Sequence, residues 1–254
     1  MTLEACAAQL QEQDPDRFGA MLTAAPQDRA KLLTLYSLNL ELARAPFQSN
    51  EPMLAQMRLQ WWIDRLSEMG QGTAPPRHDV LTPLWEAWGP RAGDQVALAE
   101  ARLRDCARDP FESADQVVAY VDATAGRLMW AAAQALDAPD AARAVVVDQA
   151  RGAGLAAWLR ALPRLRPLRL GLALEEPGDI LQLAQTGQAA LARAAAGRRA
   201  VPRRAAAALY AGPGAGRFLR DVIKTGGRFS DEDAEITPFQ RRASLAALSL
   251  TGRW

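Results

Sequence analysis

Residues 28–44 read DRAKLLTLYSLNLELAR, and this stretch decides the fold class. Its leucines recur with Tyr36 and Asn39 at i, i+3, i+4 and i+7, which places them on one face of a helix. Pro26 stands just before the pattern, and Pro46 ends it. The stretch therefore predicts a helix over Asp28 to Arg44 with one buried face.

The next segment, residues 51–64, reads EPMLAQMRLQWWID and continues as a helix to about Met69. Pro52 lies in its first turn and Gly70 follows its end, as is usual at helix boundaries. Helical spacing assigns its buried face to four apolar positions: Met53 (or Leu54), Met57, Trp61 and Leu66. We expect the two helices to be neighbours that line a central cavity.

Two adjacent tryptophans in this segment, Trp61 and Trp62, cannot share one core. Consecutive residues on a helix point about 100° apart, so one ring packs inward and the other covers a second surface or meets a partner. Arg58 and Gln60 stand beside them and add polar groups that packing alone does not require.

The rest of the chain is also helical in pattern, because its β-branched clusters are few and lie in alanine-rich context. Breaks are expected in a linker over Gly70 to Pro83 and at Pro163 and Pro167. A short tryptophan-bearing segment follows at Leu84–Trp88. Helices are predicted at Gly93–Asp109, Ser113–Leu136, Pro139–Leu162, Gly178–Gly197, Val201–Tyr210, Phe218–Thr225 and Pro238–Leu250. The prediction is an all-α bundle in which residues 1–254 form a single domain.

Composition narrows the function classes. Lys and Arg total 30 and Asp and Glu total 29, so the net charge of +1 provides no global attraction for nucleic acid. The longest stretch without charge, Ile180 to Ala192, is too short and polar to span a bilayer. We therefore expect an intracellular, soluble protein, or one that is at most attached to a membrane surface.

The chain also has few of the cysteine and histidine residues that zinc sites and Ser/His/Asp triads require. The chain has two cysteines and one histidine, His78, which we interpret as a solvated loop residue. Asp105 and Asp109 are spaced to share a helical face that could grip a magnesium ion, but a solvated surface is the more common outcome. A magnesium site there and a plain surface both stay open.

Arginines are concentrated in residues 160–204, which contain nine of them. This excess could meet phosphates, anionic lipid or an acidic partner, or form a solvated basic surface. Aromatic residues are not interleaved with these arginines, so a single-strand nucleic-acid platform is not predicted.

Several blocks resemble the squalene/phytoene synthase family. Residues 35–44 (LYSLNLELAR) and 58–66 (RLQWWIDRL) resemble its opening helices, 120–129 (YVDATAGRLM) its central helix, and 152–160 (GAGLAAWLR) the helix of its second metal motif. The likeness extends over about residues 14 to 250. It implies the all-α isoprenoid-synthase fold and an enzyme that joins two allylic diphosphates.

The same likeness implies that the family's metal ligands are missing. In those enzymes paired aspartates on two facing helices hold the magnesium ions that neutralise the leaving diphosphate. Alignment puts Ala43 and Phe47 at the first motif and Ala161 and Leu165 at the second. A glutamine and an asparagine that precede the second motif are replaced by Gly154 and Ala157. No cofactor is expected, and Mg²⁺ is not expected to bind at these positions.

Residues 39–44 and 51–62 resemble a non-enzymatic branch, respiratory complex I assembly factor 6 and its bacterial relatives. That resemblance implies a catalytically inactive protein that assists assembly of the NADH dehydrogenase. Its expected partner is a respiratory complex subunit or an assembly intermediate, with an isoprenoid or lipid in the cavity and peripheral membrane contact as further expectations.

Two alternatives stay open. One is a metal-independent binder of isoprenoid or lipid diphosphates that uses Arg44, Arg58 and Arg160. The other is a prenyltransferase whose carboxylates have moved to Asp105, Asp109 or Asp122.

Eight residues on the first two predicted helices are the candidate ligand- or partner-binding set, and no catalytic residue is assigned. Glu41 and Arg58 are expected to form a buried or half-buried ion pair. A purely structural clamp between the two helices is the alternative interpretation. The candidate set is Asn39, Glu41, Arg44, Glu51, Arg58, Gln60, Trp61 and Trp62.

Overall fold

Helices make up almost all the regular structure of this computed structural model, which describes residues 3–230 and 236–254. Across those residues there is no β-strand, and a single isolated bridge joins Phe111 to Leu172. The chain divides into two compact units, Met1–Ala107 and Arg108–Trp254. The all-α prediction is confirmed, while a single domain over the whole chain stays a prediction.

The first unit is built around a long buried helix that the sequence pattern predicts closely. Its helices are α1 (Leu3–Gln13), α2 (Pro15–Leu22), α3 (Arg29–Arg44), α4 (Pro52–Gly70), α5 (Leu81–Trp88), α6 (Val96–Glu100) and α7 (Leu103–Ala107), with 3₁₀ turns at Pro26–Asp28, Ala45–Phe47 and Gly89–Gln95. The predicted helix is present as α3, but the prediction of a single buried face is wrong, because its residues 32–39 are buried on every side. The pattern assigned no helix to the α1–α2 region, where the Asp14 carboxylate accepts the Arg17 N–H at 3.0 Å and so caps α2.

The second unit packs around its longest helix. Its helices are α8 (Ala114–Val121), α9 (Arg127–Ala135), α10 (Arg143–Leu165), α11 (Pro177–Gly197), α12 (Ala215–Lys224) and α13 (Pro238–Thr251), with a π-helical turn at Asp122–Gly126 and 3₁₀ turns at Asp140–Ala142, Arg166–Leu168, Arg198–Ala200 and Arg203–Leu209. Side chains of α8, α10, α11 and α12 form one buried cluster.

Three helix predictions in these regions are wrong in their ends or in the type of helix. Helix α10 continues through Pro163 and ends at Leu165. The predicted helix Val201–Tyr210 is a 3₁₀ segment, and the predicted helix Gly93–Asp109 is a 3₁₀ segment followed by α6 and α7. Helix α7 ends at Ala107, and Arg108 has a φ of 55°.

Glycines of α10 allow neighbouring helices to approach closely. A Cβ atom at Gly152 would lie 2.5 Å from Leu191 Cγ and 2.8 Å from the Gly187 carbonyl oxygen. A Cβ at Gly154 would lie 2.5 Å from Val121 Cγ1. In the family block of residues 152–160, larger side chains at these two glycines would therefore push the neighbouring helices away from α10.

None of the helices in the described ranges combines the length and the apolar character needed to cross a bilayer.

Candidate functional site

Helix α4 carries most of the candidate residues and has an apolar outer face. It begins after Glu51, whose N–H donates to Ser49 Oγ at 3.1 Å, and proline occupies its first position. Its buried side chains are Ala55, Leu59, Trp62, Ile63, Leu66 and Met69.

The predicted buried face of α4 is therefore mostly wrong. Met53 is 72% exposed, Met57 62% and Trp61 38%, and only Leu66 of the assigned four is buried. Both the outer row and the true core row satisfy helical spacing, so spacing alone did not distinguish them.

The two tryptophans diverge as expected. Trp62 is buried and Trp61 is exposed, and their ring centroids lie 5.1 Å apart in a T-shaped contact. The His78 ring packs against both, at 5.3 Å from Trp61 and 5.2 Å from Trp62. Its Nδ1 accepts the N–H groups of Val80 and Leu81 at 3.1 and 3.3 Å, which caps the start of α5. The interpretation of His78 as a solvated loop residue is wrong, because these contacts half-bury it.

The predicted ion pair between Glu41 and Arg58 is also wrong. The Glu41 carboxylate accepts from Gln9 Nε2 at 2.5 Å and lies 3.7 Å from Arg44 Nη1. Arg58 lies on the exposed side of α4 and donates to the Gln48 side-chain oxygen. Glu41 therefore ties α3 to α1, and Arg58 ties α4 to the turn before it.

The eight candidates divide by burial rather than forming one site. Asn39 and Trp62 are buried, and Glu41 is half-buried. The remaining five are exposed: Arg44, Glu51, Arg58, Gln60 and Trp61. Gln60 donates to Asp64 Oδ1 at 2.8 Å along the outer side of α4.

A groove on the first unit includes residues that the sequence did not identify. It has a volume of about 420 Å³ and is lined by Met53, Gln56, Met57, Gln60 and Leu103. Leu103 belongs to α7, so no local pattern could join it to α4. Met53 and Met57 could have been assigned to a groove only with knowledge of which face of α4 is covered by other helices.

The residues that the resemblance aligns with the family's metal positions do not fit a magnesium ion. Ala43 and Phe47 in the first unit have no side-chain oxygen, and neither have Ala161 and Leu165 in the second. Magnesium takes oxygen ligands, chiefly carboxylates and water. Among residues 3–230 and 236–254, no three His, Cys, Asp or Glu side chains are grouped so that they could hold a metal ion.

The carboxylates considered as relocated ligands have other surroundings. Asp105 is buried, with Arg102 Nη1 at 3.5 Å. Because α7 ends at Ala107, the four-residue spacing does not put Asp109 on the same helical face. The two Asp122 oxygens accept from Arg151 Nε and Nη2 at 2.9 and 2.6 Å. This hydrogen-bonded pairing raises the pKa of Arg151.

Each arginine considered for metal-free diphosphate binding has at least one partner within the protein. Arg44 and Arg58 have the partners given above. Arg160 Nη2 donates to the Pro213 carbonyl at 3.0 Å, and its guanidinium lies 4.8 Å from the centre of the Phe218 ring.

Comparison with known proteins places the chain in a family. No curated protein sequence matches it. A crystal structure of a dehydrosqualene synthase in complex with a ligand aligns with a TM-score of 0.77 over 97% of this chain and 94% of that chain, at 11% sequence identity. At that identity the match establishes the fold, which is the all-α isoprenoid-synthase fold. The family model for squalene/phytoene synthase matches residues 10–169, more than half of the chain. The chain therefore belongs to the squalene/phytoene synthase family.

Proposed function

We propose that this chain is a catalytically inactive member of its family that acts as an assembly or scaffold factor for respiratory complex I. The proposal joins two lines of support. One is the chemistry of the family's metal positions, and the other is the outer face of α4. The likeness of residues 39–44 and 51–62 to the complex I assembly branch supplies the identity of the partner.

Loss of the metal ligands supports inactivity because the family reaction must ionise a diphosphate. Side chains that hold magnesium stabilise the charge that develops on that leaving group. Ala43, Phe47, Ala161 and Leu165 have no such group, and Asp122 is already paired with Arg151.

The observation that carries the binding role is the α4 surface, which we define as Met53, Leu54, Met57 and Trp61. These side chains are 72%, 43%, 62% and 38% exposed in the segment that resembles the assembly branch. Exposed apolar side chains that follow one helix face are typical of protein interaction sites. Methionine suits such a face, because its flexible side chain adapts to a partner.

Capture of complex I subunits tests the partner. The tagged chain would be isolated with its native respiratory membrane, and co-purified proteins identified by mass spectrometry. We expect subunits or assembly intermediates of the NADH dehydrogenase. Their absence, with other proteins recovered instead, would contradict the assembly role.

A matched pair of variants tests the surface. Met53→Ser with Met57→Ser should abolish capture, while the melting temperature stays near that of the unchanged chain, because exposed positions contribute little to folding. The control is Leu174→Ser with Phe239→Ser, whose side chains are 73% and 78% exposed in the second unit. Equal loss of capture in both would mean that exposed apolar side chains bind nonspecifically.

Inactivity has a direct assay. Incubation with magnesium and farnesyl or geranylgeranyl diphosphate should give no squalene or phytoene. Turnover above the buffer control would contradict the proposal and favour a prenyltransferase with relocated carboxylates. A thermal shift with these diphosphates in the absence of magnesium would instead favour a metal-independent binder.

A further inference from the structure

A second concave surface lies in the second unit, where the 3₁₀ segments after α11 meet the end of α13. Its volume is about 310 Å³, and its polar lining is almost entirely arginine. We call it the arginine pocket and define it by Arg198, Arg199, Arg203, Arg253 and Trp254. Neither Asp nor Glu is among the described residues that line it.

The fold separates the arginines of residues 160–204 into neutralised and unneutralised groups. Three form ion pairs outside the pocket: Arg166 with Glu175, Arg193 with Asp148, and Arg204 with Asp137. The four arginines of the pocket form no ion pair with any residue that the structure describes. Three arginines of this stretch, Arg198, Arg199 and Arg203, therefore lie with Arg253 in the arginine pocket without an ion pair to any described residue.

Two of these arginines are held in place by the end of α13. The Arg198 guanidinium lies 5.5 Å from the centre of the Trp254 ring, and Arg203 Nη2 donates to the Leu250 carbonyl at 3.1 Å. Gly252 adopts a φ of 64°, and a Cβ there would lie 3.1 Å from Arg203 Cγ. A guanidinium has five N–H donors, so a single carbonyl contact leaves most of them available to a ligand. Because these side chains are already ordered before a ligand binds, the entropic cost of binding is lower.

Guanidinium groups recognise phosphate in particular. Their planar donors match two oxygens of one phosphate, and several arginines with no Asp or Glu side chain among them favour a ligand of more than one negative charge. The volume lies near the lower end of small-molecule sites, which range from about 300 to 1,000 Å³. We propose that the arginine pocket binds a phosphate group, supplied by a free diphosphate or by the headgroup of an anionic phospholipid.

Two binding assays distinguish the sources. Inorganic pyrophosphate is titrated by calorimetry, and vesicles of phosphatidylcholine with or without phosphatidylglycerol are used for flotation. We expect pyrophosphate binding that weakens steeply between about 50 and 200 mM salt, as counterion release requires of phosphate contacts. Pyrophosphate binding alone identifies a soluble phosphate, and capture by the anionic vesicles alone identifies a lipid headgroup.

Matched charge reversals locate the site. Arg199→Glu with Arg253→Glu should weaken pyrophosphate binding by about tenfold or more and remove vesicle capture. Arg164→Glu with Arg220→Glu makes the same charge change at exposed arginines of the second unit outside the pocket, and should weaken both by less than about twofold. Arg199→Gln should give an intermediate loss, and circular dichroism verifies that each variant is folded.

Three results would overturn the proposal: no binding to either probe, equal loss in both double variants, or unchanged binding in the folded pocket variant. None of them depends on complex I, so this proposal and the assembly role succeed or fail separately.

Discussion

Helices α4 and α10 both carry blocks of the family resemblance, yet their surroundings are opposite. Helix α4 leaves Met53 and Met57 largely exposed. Helix α10 is packed by α8, the π-helical turn, α11 and α12, and its Leu155 and Leu159 are completely buried. A family pattern can therefore persist in one helix as a surface and in another as a core.

The packing of α10 bears on the proposed inactivity. The resemblance aligns Gly154 with a polar residue of the family, and a Cβ there would already lie 2.5 Å from Val121 Cγ1. A long polar side chain does not fit unless α8 moves. In this helix the space that a ligand side chain would occupy is taken by the neighbouring helix.

The largest expected effect compares a leucine from each helix. Leu159→Ala should lower the free energy of unfolding by about 2–5 kcal/mol, because it leaves a cavity in a fully buried site. Leu54→Ala, at a side chain 43% exposed, should change it by about 0.5 kcal/mol. Guanidinium denaturation followed by circular dichroism measures both. Similar losses would mean that α4 is covered as fully as α10.

We expect the stability of the first unit at alkaline pH to depend on the buried Tyr36. Burial raises the pKa of Tyr36 on α3 from 10.0 to about 12. Because the folded pKa is the higher one, the stabilisation is fully present below pH 10 and is lost as the pH rises toward 12. The loss should approach about 2–3 kcal/mol, at 1.36 kcal/mol per pKa unit.

Tyr36→Phe tests the assignment of this alkaline loss. Stability measured by urea denaturation from pH 9 to pH 12 should fall less in Tyr36→Phe than in the unchanged chain. Parallel curves would show that Tyr36 does not account for the loss.

Helical spacing in the sequence predicted where helices form. It did not predict which helix faces and which side chains contact each other, because tertiary packing determines those. Spacing placed Leu32, Leu35 and Tyr36 correctly in the core, but it did not show that the residues between them on α3 are buried as well. On α4 the row of Met53, Met57 and Trp61 has the same spacing as the buried row, and only the neighbouring elements decide which is covered. Partner choice failed for the same reason, since the Gln9 that binds Glu41 comes from α1, which no pattern had assigned.

The smaller elements show a similar limit. A proline usually predicts a helix end, but α10 includes Pro163 and ends at Leu165. His78 stands in a proline-rich stretch that is typical of an exposed loop, and its contacts with two tryptophans depend on how that loop folds back onto α4.

Close packing of α10 predicts a smaller effect at its glycines. Gly152→Ala should destabilise the chain by about 1–3 kcal/mol, because the new methyl meets Leu191 and the Gly187 carbonyl. Gly178→Ala is the control, since a Cβ there has no atom of another residue within 4 Å. The difference in denaturation midpoint between the two variants is the measurement. No difference would show that α11 can move away from α10 at little cost.

The smallest expected effect concerns the pair between Asp122 and Arg151, which connects the π-helical turn to α10. The side chains are 31% and 27% exposed and are joined by two hydrogen bonds. A double-mutant cycle with Asp122→Asn and Arg151→Gln should give a coupling energy of about 1 kcal/mol, at the upper end for partly exposed pairs. The control cycle uses Arg217 and Asp221, which are 78% and 51% exposed and 3.7 Å apart, and should give less than about 0.5 kcal/mol.

The same variants test whether Asp122 is available to a cation. Arg151 supplies two donors to the carboxylate, so magnesium would have to displace a bound guanidinium before it could bind there. We therefore expect that millimolar magnesium leaves the melting temperature unchanged in the unmodified chain and in Asp122→Asn. A magnesium-dependent rise that disappears in Asp122→Asn would show that this carboxylate still serves as a metal ligand. That result would mean that α10 and its neighbours retain part of the family's active site.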